Sequence, residues 1–255
     1  MAPTTVDGLD IDDATIDGTE VSEITVDGNV VFKAGPDIPD SATYSWPTND
    51  GSGSTLTEEV VGYDGDIIGA TWYQNGGVDG YSLEFDGTDD YVEIPWNTTL
   101  AGADGLSLSI WVYPYSEMDG NENIFSATDE GGSGNPNDWN LFVHDDGEIR
   151  FSTDDTSGAL GNGEGLHPNT DEWTQIGVSL ESDGDATLYF DGDVVDTTSF
   201  STMPKEANEG EVTIGGNEDG GRVWDGRLAF ATFWEDPLSD SEMQSHYDEY
   251  DSLFD

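Results

Sequence analysis

The chain consists of short runs in which hydrophobic and polar residues alternate, and Gly, Asn and Asp bound these runs. Alternation with a period of two is typical of β-strands that bury one face, whereas a helix repeats every 3.6 residues. Strands are predicted at residues 106–113, 123–127, 139–144, 148–153, 174–180, 186–191, 211–215 and 227–234. Many short strands at this spacing predict an all-β protein, folded as an antiparallel sandwich or barrel.

Helical periodicity occurs once, near the C-terminus. Ser239 and Glu242 match a capping box, in which serine and glutamate each bind the other's backbone N–H. Larger side chains then follow at helical spacing, namely Met243, His246, Tyr247 and Tyr250. One short C-terminal helix is therefore predicted.

The strand at 106–113 has two faces. Its core-facing residues are predicted to be Leu106, Leu108, Ile110 and Val112, and its outward-facing residues Ser107, Ser109, Trp111 and Tyr113. A sheet face that mixes aromatic and polar side chains suits sugar binding, because rings stack on C–H faces and polar groups bind hydroxyls. Packing beneath loops is the alternative, and Trp139 and Trp224, which border predicted loops, could equally cap the core. The candidate glycan-binding residues are Trp111, Tyr113, Trp173, Gln175, Tyr189, Trp139 and Trp224.

Residues 1–34 contain a repeat of TVDG, TIDG and TVDG, which begin at Thr5, Thr15 and Thr25. Asp-Gly pairs favour tight hairpin turns, so short strands joined by such turns are predicted. This segment is too small to bury a core, and we expect it to serve as an anchor or in oligomerisation. A solvated tail is the alternative. Pro36 and Pro39 indicate a linker at 35–43, which leaves 44–255 as the main domain.

Charge restricts the environment and the partners. The chain has 56 Asp and Glu against 5 Lys and Arg, a formal net charge of -51, but also 8 Trp, 10 Tyr and 10 Phe to fill a core. In molar salt the Debye length falls to about 3 Å, which removes most of the repulsion. We therefore predict a folded protein from a salt-saturated environment. Too few cations exist to bind nucleic acid or an anionic membrane surface.

Five segments of the main domain form an ordered set of motifs. They are 81–95 (YSLEFDGTDDYVEIP), 106–114 (LSLSIWVYP), 172–178 (EWTQIGV), 188–192 (LYFDG) and 224–229 (WDGRLA). This series resembles the strands of laminin G-like, concanavalin A-like jelly-roll domains over roughly residues 44–250. The resemblance implies an antiparallel jelly-roll β-sandwich with one short C-terminal helix, preceded here by the small N-terminal β segment. The fold hosts lectins, adhesion modules, enzymes and structural proteins alike.

The sequence offers no catalytic motif. It has no cysteine, and its three histidines match no zinc spacing or catalytic triad. Glycoside hydrolases of this architecture carry Glu-x-Asp-x-x-Glu on one strand. Glu84 and Asp86 begin that pattern, but the turn at Gly87 breaks it. We therefore expect no enzymatic activity.

A structural Ca²⁺ ion is implied by the same resemblance, since such domains often bind one through loop carboxylates and carbonyls. Asp86 and Asp89 flank a glycine turn and are the candidate ligands. Calcium favours six to eight oxygen ligands. In a chain this acidic, chance proximity is the alternative.

The composition resembles that of haloarchaeal proteins, and residues 20–32 (EVSEITVDGNVVF) resemble N-terminal segments of haloarchaeal tailed-virus structural proteins. Because the first residues show no basic and apolar leader, we expect assembly in the cell rather than export. The resemblance implies a non-enzymatic virion protein, a tail fibre, spike or capsid decoration, whose lectin-like domain binds host-surface glycans. It would be located in the virion, and outside the cell in high salt after release.

The N-terminal segment is expected to contact other virion proteins. It is also expected to support self-association, most simply as a trimer, because exposed β edges are buried against copies of themselves. Two alternatives remain open. One is a cellular haloarchaeal carbohydrate-binding or adhesion module, and the other is a purely structural capsid or tail decoration without a ligand.

Overall fold

The computed structural model describes residues 5–6, 9–10, 15–16, 19–20, 23–26, 29–33, 39, 41–74, 77, 80–101, 104–116, 120–128, 139–153, 159–204, 210–216 and 222–254. The strands before the main domain are β1 (Thr5–Val6), β2 (Leu9–Asp10), β3 (Thr15–Ile16), β4 (Thr19–Glu20), β5 (Glu23–Val26) and β6 (Asn29–Lys33). Those within it are β7 (Tyr44–Trp46), β8 (Thr55–Leu56), β9 (Gly65–Ile68), β10 (Thr71–Gln74), β11 (Tyr81–Asp86), β12 (Tyr91–Ile94), β13 (Leu106–Pro114), β14 (Glu122–Thr128), β15 (Trp139–Val143), β16 (Ile149–Thr153), β17 (Thr174–Leu180), β18 (Asp185–Phe190), β19 (Asp193–Ser199), β20 (Glu211–Ile214) and β21 (Asp225–Trp234). The helix α1 (Asp240–Tyr250) is followed by a 3-10 turn, Asp251–Leu253.

Two sheets form the main domain. The larger sheet has the order β10-β11-β21-β13-β17-β18-β19, and β7 also pairs with β21. The smaller sheet has the order β16-β15-β14-β20-β12-β9-β8. All described pairings in both sheets are antiparallel. The predicted jelly-roll β-sandwich with a short C-terminal helix is confirmed.

The inward faces of the two sheets enclose one hydrophobic core. Its members include the four residues assigned to the inner face of β13, each at most 1% exposed, namely Leu106, Leu108, Ile110 and Val112. From the smaller sheet, Phe125 and Leu141 belong to the same core. The strand parity predicted from the period of two is therefore confirmed.

Strand β21 lies at the centre of the larger sheet and changes its neighbour along its length. Leu228 pairs with Leu83 of β11, whereas Ala231 pairs with Trp46 of β7. Between these two positions Phe230 has a φ of +47°, which bulky side chains rarely adopt. The register against β13 shifts at the same place. This strained position allows Phe230 to pack in a second apolar cluster outside the core.

Helix α1 packs on the outer face of the larger sheet. The N–H of Ser239 donates to Oε2 of Glu242 at 2.8 Å, so the predicted capping box is confirmed. Met243 is fully buried against Gly177 of β17, where an added Cβ would lie 2.7 Å from the Met243 sulfur. Glycine at 177 therefore permits this close approach. No helix among the described residues is long and apolar enough to cross a membrane.

In the described part of residues 5–33, three antiparallel strand pairs precede the main domain. The pairs Val6 with Leu9, Ile16 with Thr19, and Val26 with Asn29 each close over two residues. The described residues of the ten-residue repeat pair as short strands, and the Asp-Gly pairs between them lie outside the described residues. Of the predicted linker at 35–43, the structure describes residues 39 and 41–43. The domain boundaries stay predictions.

Candidate functional site

The outer face of the larger sheet, which points away from the core, has a covered part and an open part. The covered part lies beneath α1 and the residues that follow it. There the Trp111 ring stacks on Phe254 with centroids 4.0 Å apart, and on Tyr247 at 5.6 Å. Trp111 is only 2% exposed. This burial contradicts the predicted contact of Trp111 with glycans. The ring instead anchors the C-terminal segment.

Gln175 and Tyr189 are closed off in the same way. Nε2 of Gln175 donates to Oγ of Ser109 at 2.9 Å, and its Oε1 accepts the N–H of Gly192 at 3.2 Å. The Tyr189 hydroxyl donates to Oδ1 of Asp240, at the start of α1, at 2.9 Å. Both side chains are at most 1% exposed. Their polar groups bind within the fold, which argues against the glycan contacts predicted for them.

Trp139 and Trp224 are 0% exposed and also cannot meet a ligand as folded. Trp139 is the first residue of β15, as predicted for the strand at 139–144, and its Nε1 donates to the carbonyl of Leu100 at 2.7 Å. Trp224 precedes β21 and packs in the main core. Of the two roles considered for these tryptophans, burial supports capping the core and corrects the prediction of glycan binding.

The open part of the outer face contains four aromatic rings around one guanidinium. We name it the aromatic–arginine cluster, and its members are Tyr73, Tyr113, Tyr115, Trp173 and Arg227. Tyr73 belongs to β10, Tyr113 to β13 and Arg227 to β21, while Tyr115 and Trp173 lie beside the ends of β13 and β17. Tyr113 and Trp173 were predicted from parity, and the structure brings them together at partly exposed positions.

Strand register explains why these side chains meet. Arg227 pairs with Tyr113 of β13 on one side and with Glu84 of β11 on the other. Their neighbours Leu228 and Val112 lie in the core. Because successive residues of a strand point to opposite faces, the three paired side chains share the outer face.

The guanidinium of Arg227 lies among the rings at contact distances. Its Cζ is 3.6 Å from the ring centroid of Tyr113, 4.5 Å from Tyr73, 5.2 Å from Trp173 and 5.9 Å from Tyr115. A cation within about 6 Å of an aromatic ring is attracted to its face. Arg227 is 6% exposed, so it forms the centre of the cluster and the rings form its surface.

Two carboxylates border the cluster. Glu84 accepts the hydroxyl of Tyr115, and Oδ2 of Asp225 accepts that of Ser116 at 3.3 Å. Burial and the bond to Glu84 raise the pKa of Tyr115 well above its ordinary value, so its phenol stays neutral. Tyr73 and Tyr115 are each 36% exposed. Accessible rings can stack on the C–H face of a sugar, and the neighbouring carboxylate oxygens can accept hydrogen bonds from its hydroxyls.

Five of the residues in and around this cluster were not predicted, namely Tyr73, Tyr115, Glu84, Asp225 and Arg227. Tyr115 shares the parity of Tyr113, so continuing the alternation past the strand could have found it. Arg227 is one of only five cationic residues, and that rarity was a usable signal. For Tyr73 and Glu84 no local signal existed, since their strands meet β21 only through the fold.

The predicted metal ligands Asp86 and Asp89 lie beside a third carboxylate, Asp90, which was not predicted. One ligand oxygen from each lies within 4.8 Å of the others. Asp90 accepts the N–H of Asp86 at 2.9 Å, and Asp86 accepts that of Thr88 at 2.9 Å. Burial, together with the charges of Asp86 and Asp89, raises the pKa of Asp90. Hard oxygen ligands that repel one another fit Ca²⁺, which would offset their charge.

The family model of the concanavalin A-like lectin/glucanases superfamily, in its laminin G form, matches residues 86–244. No curated protein matches the chain. Among solved structures, domain 4 of AbnA, a GH43 extracellular arabinanase from Geobacillus stearothermophilus in complex with arabinotriose, is 17% identical, with a TM-score of 0.62 over 80% of this chain and 97% of that domain.

Two further structures share the fold over part of their own length. Trypanosoma rangeli sialidase in complex with sialic acid is 16% identical, with a TM-score of 0.60 over 89% of this chain and 35% of the sialidase. The botulinum neurotoxin serotype D binding domain is 15% identical, with a TM-score of 0.59 over 82% of this chain and 52% of that domain. At these identities the likeness concerns the fold alone. From the family match, which covers more than half of its residues, the chain belongs to the concanavalin A-like lectin/glucanases superfamily.

Proposed function

We propose that this protein is a non-enzymatic, glycan-binding component of a halophilic virus particle, a tail fibre, spike or capsid decoration. The observation that supports the binding function is the aromatic–arginine cluster. This cluster combines partly exposed rings with bordering carboxylates on one sheet face. Aromatic side chains with a few placed polar groups are the usual composition of small-ligand sites.

The rings of the cluster are held before any ligand arrives. Tyr113 contacts Tyr115 edge to face at 6.0 Å and Trp173 at 5.3 Å. Trp173 in turn meets Phe254 at 5.1 Å. Such contacts reduce the conformational entropy that binding would otherwise cost. Two structural relatives are described in complex with sugars, which is consistent with this proposal.

The virion role depends on the chain's composition and on its N-terminal repeat. A net charge of -51 suits a protein that stays folded and soluble in brine. The hairpins of residues 5–33 have too few strands to be stable alone, so we propose that they dock on other virion proteins or on copies of this chain, most simply as a trimer. Sedimentation of the full chain as a monomer in molar salt would contradict the trimer.

A structural Ca²⁺ ion held by Asp86, Asp89 and Asp90 is part of the same proposal. These residues form the connection from β11 in the larger sheet to β12 in the smaller one. A cation there would stabilise the connection. The protein's own carboxylates supply part of the coordination shell, and backbone carbonyls or water would supply the rest.

The glycan-binding function is tested on a glycan array in molar salt with the full chain. We expect binding that is about tenfold weaker in Tyr115→Ala, which corresponds to the loss of about 1.4 kcal/mol of ring contact. Val194→Ala is the matched control, because Val194 is 45% exposed on β19 and lies outside the cluster. Equal binding by wild type and Tyr115→Ala would refute the assignment of this site.

A purely structural decoration is the second candidate. The burial of Trp111, Gln175 and Tyr189 favours it, because α1 covers much of the face predicted to bind sugar. The absence of binding to any glycan, with the protein folded, would support this candidate. Conversion of any glycan in high salt that is lost on replacing a single Asp or Glu would overturn the non-enzymatic proposal. Neighbouring surface-layer genes in place of portal and tail genes would favour the cellular adhesion module.

A further inference from the structure

We infer that the aromatic–arginine cluster selects uncharged, hydroxyl-rich glycans and rejects acidic ones. This inference rests on the proposed glycan-binding function and specifies its ligand class. Three features carry it, namely the enclosure of Arg227, the two carboxylates at the border and the neutral ring surfaces between them.

Arg227 is the cation of this cluster, but its position prevents it from acting as an anion receptor. Its Cζ lies 3.6 Å from the Tyr113 centroid and 4.5 Å from the Tyr73 centroid, so rings cover the guanidinium. With 6% of the residue exposed, the guanidinium cannot offer both N–H groups side by side to a ligand carboxylate. Bidentate recognition of carboxylate or sulfate requires that geometry.

The groups that do border the accessible rings are acceptors. Glu84 pairs with Arg227 in the sheet and accepts the Tyr115 hydroxyl, while Asp225 is the partly exposed first residue of β21. A carboxylate of this kind binds a sugar hydroxyl through a charge-assisted hydrogen bond. It repels a ligand carboxylate at the same distance.

The repulsion is large enough to decide specificity. At the effective dielectric constant of about 20 near a protein surface, two like charges 4 Å apart repel about four times as strongly as in bulk water. The Debye length of about 3 Å in molar salt leaves about a quarter of that repulsion. A preference of about fivefold for the neutral sugar remains, which corresponds to about 1 kcal/mol because 1.4 kcal/mol is a factor of ten.

The test uses two oligosaccharides of equal length, one built from a neutral hexose and one from the same hexose oxidised to the uronic acid at C6. Calorimetric titration of the full chain in molar salt should give about fivefold tighter binding of the neutral oligomer. Glu84→Gln keeps an acceptor for Tyr115 and removes the charge. The ratio of the affinities for the neutral and the acidic oligomer should therefore fall by a factor of about three or more. Glu235→Gln is the matched control, because Glu235 is an exposed carboxylate just past the opposite end of β21 and should leave the preference unchanged.

The outcomes separate the two proposals. If the acidic oligomer binds as tightly as the neutral one, and Tyr115→Ala weakens both, then the site stands and the inferred ligand class is wrong. An unchanged preference in Glu84→Gln would likewise overturn the role of the border carboxylates. If neither oligomer binds and the glycan array is also blank, the glycan-binding function fails, and with it this inference.

Discussion

Acidification should destabilise the protein through His246, an imidazole buried beneath α1. His246 is 5% exposed and lies among the rings of Phe230, Trp234 and Tyr250, at 5.7, 5.1 and 4.9 Å. Neither of its ring nitrogens has a hydrogen-bond partner among the residues that the structure describes. Burial disfavours the charged form and lowers the pKa of His246 from 6.5 to about 3. The imidazole is therefore neutral in the folded protein.

The size and sign of the effect follow from linkage between protonation and folding. Between pH 6.5 and 3 the unfolded chain binds a proton at this residue and the folded chain does not, so the free energy of unfolding decreases as the pH falls. One pKa unit is about 1.4 kcal/mol, which sets a ceiling of about 5 kcal/mol. At pH 5, where only part of that range has been crossed, the expected loss is about 2 kcal/mol.

The measurement is urea unfolding at constant salt from pH 7.5 to 5, for wild type and for His246→Leu. Subtracting the two free energies of unfolding removes the contribution of the carboxylates, which both proteins share. The difference in free energy of unfolding should be constant above pH 7. By pH 5, wild type should have lost about 2 kcal/mol of stability relative to His246→Leu. His167→Leu is the control, because His167 is exposed. The free energy of unfolding of His167→Leu should change with pH in the same way as that of wild type.

A difference between wild type and His246→Leu that stays constant from pH 7.5 to 5 would refute this account. It would mean that the imidazole is protonated in the folded state or is reached by water. A change of the same size in His167→Leu would instead assign the pH dependence to the unfolded chain.

The other predictions concern stability as well. Phe254→Ala should lower the free energy of unfolding by about 3 kcal/mol, since its ring is 7% exposed and stacks on Trp111, and urea titration followed by tryptophan fluorescence measures this loss. Glu58→Gln should cost about 3 kcal/mol. Its carboxylate accepts five backbone N–H groups, which outweigh burial and hold the pKa of Glu58 below its ordinary value. The exposed neighbour Glu59→Gln should change little in the same denaturation assay. Adding a calcium chelator in high salt should lower the melting temperature of wild type and not of Asp89→Asn, and an unchanged wild-type melting curve would contradict the Ca²⁺ proposal.

Much of the architecture was predictable because it depends on local patterns. The period of two in β13 separates Leu108 from Ser109, and burial of one face follows from that alternation wherever the partner strands lie. The capping box at Ser239 likewise involves residues only three positions apart. The order of the strands within the two sheets depends on pairing between distant segments, so local patterns did not predict it.

The candidate site could not be derived in the same way. Parity shows that Trp111 and Tyr113 point outwards, but not which of them stays open. That depends on where α1 and Phe254 pack, and they are more than a hundred residues away along the chain. Helix α1 and the residues after it cover Trp111, whereas Tyr113 lies at their margin and meets Arg227.

By itself, the sequence determined the pattern of short strands, the inner face of β13, the capped helix and the acidic composition, because each depends on near neighbours or on composition. Only the tertiary structure decided which outward rings are accessible, and it placed Tyr73, Tyr113, Trp173 and Arg227 in one cluster. The physical reason is that a sheet brings side chains from distant segments side by side through its register, and packing between distant elements decides which surface remains open to a ligand.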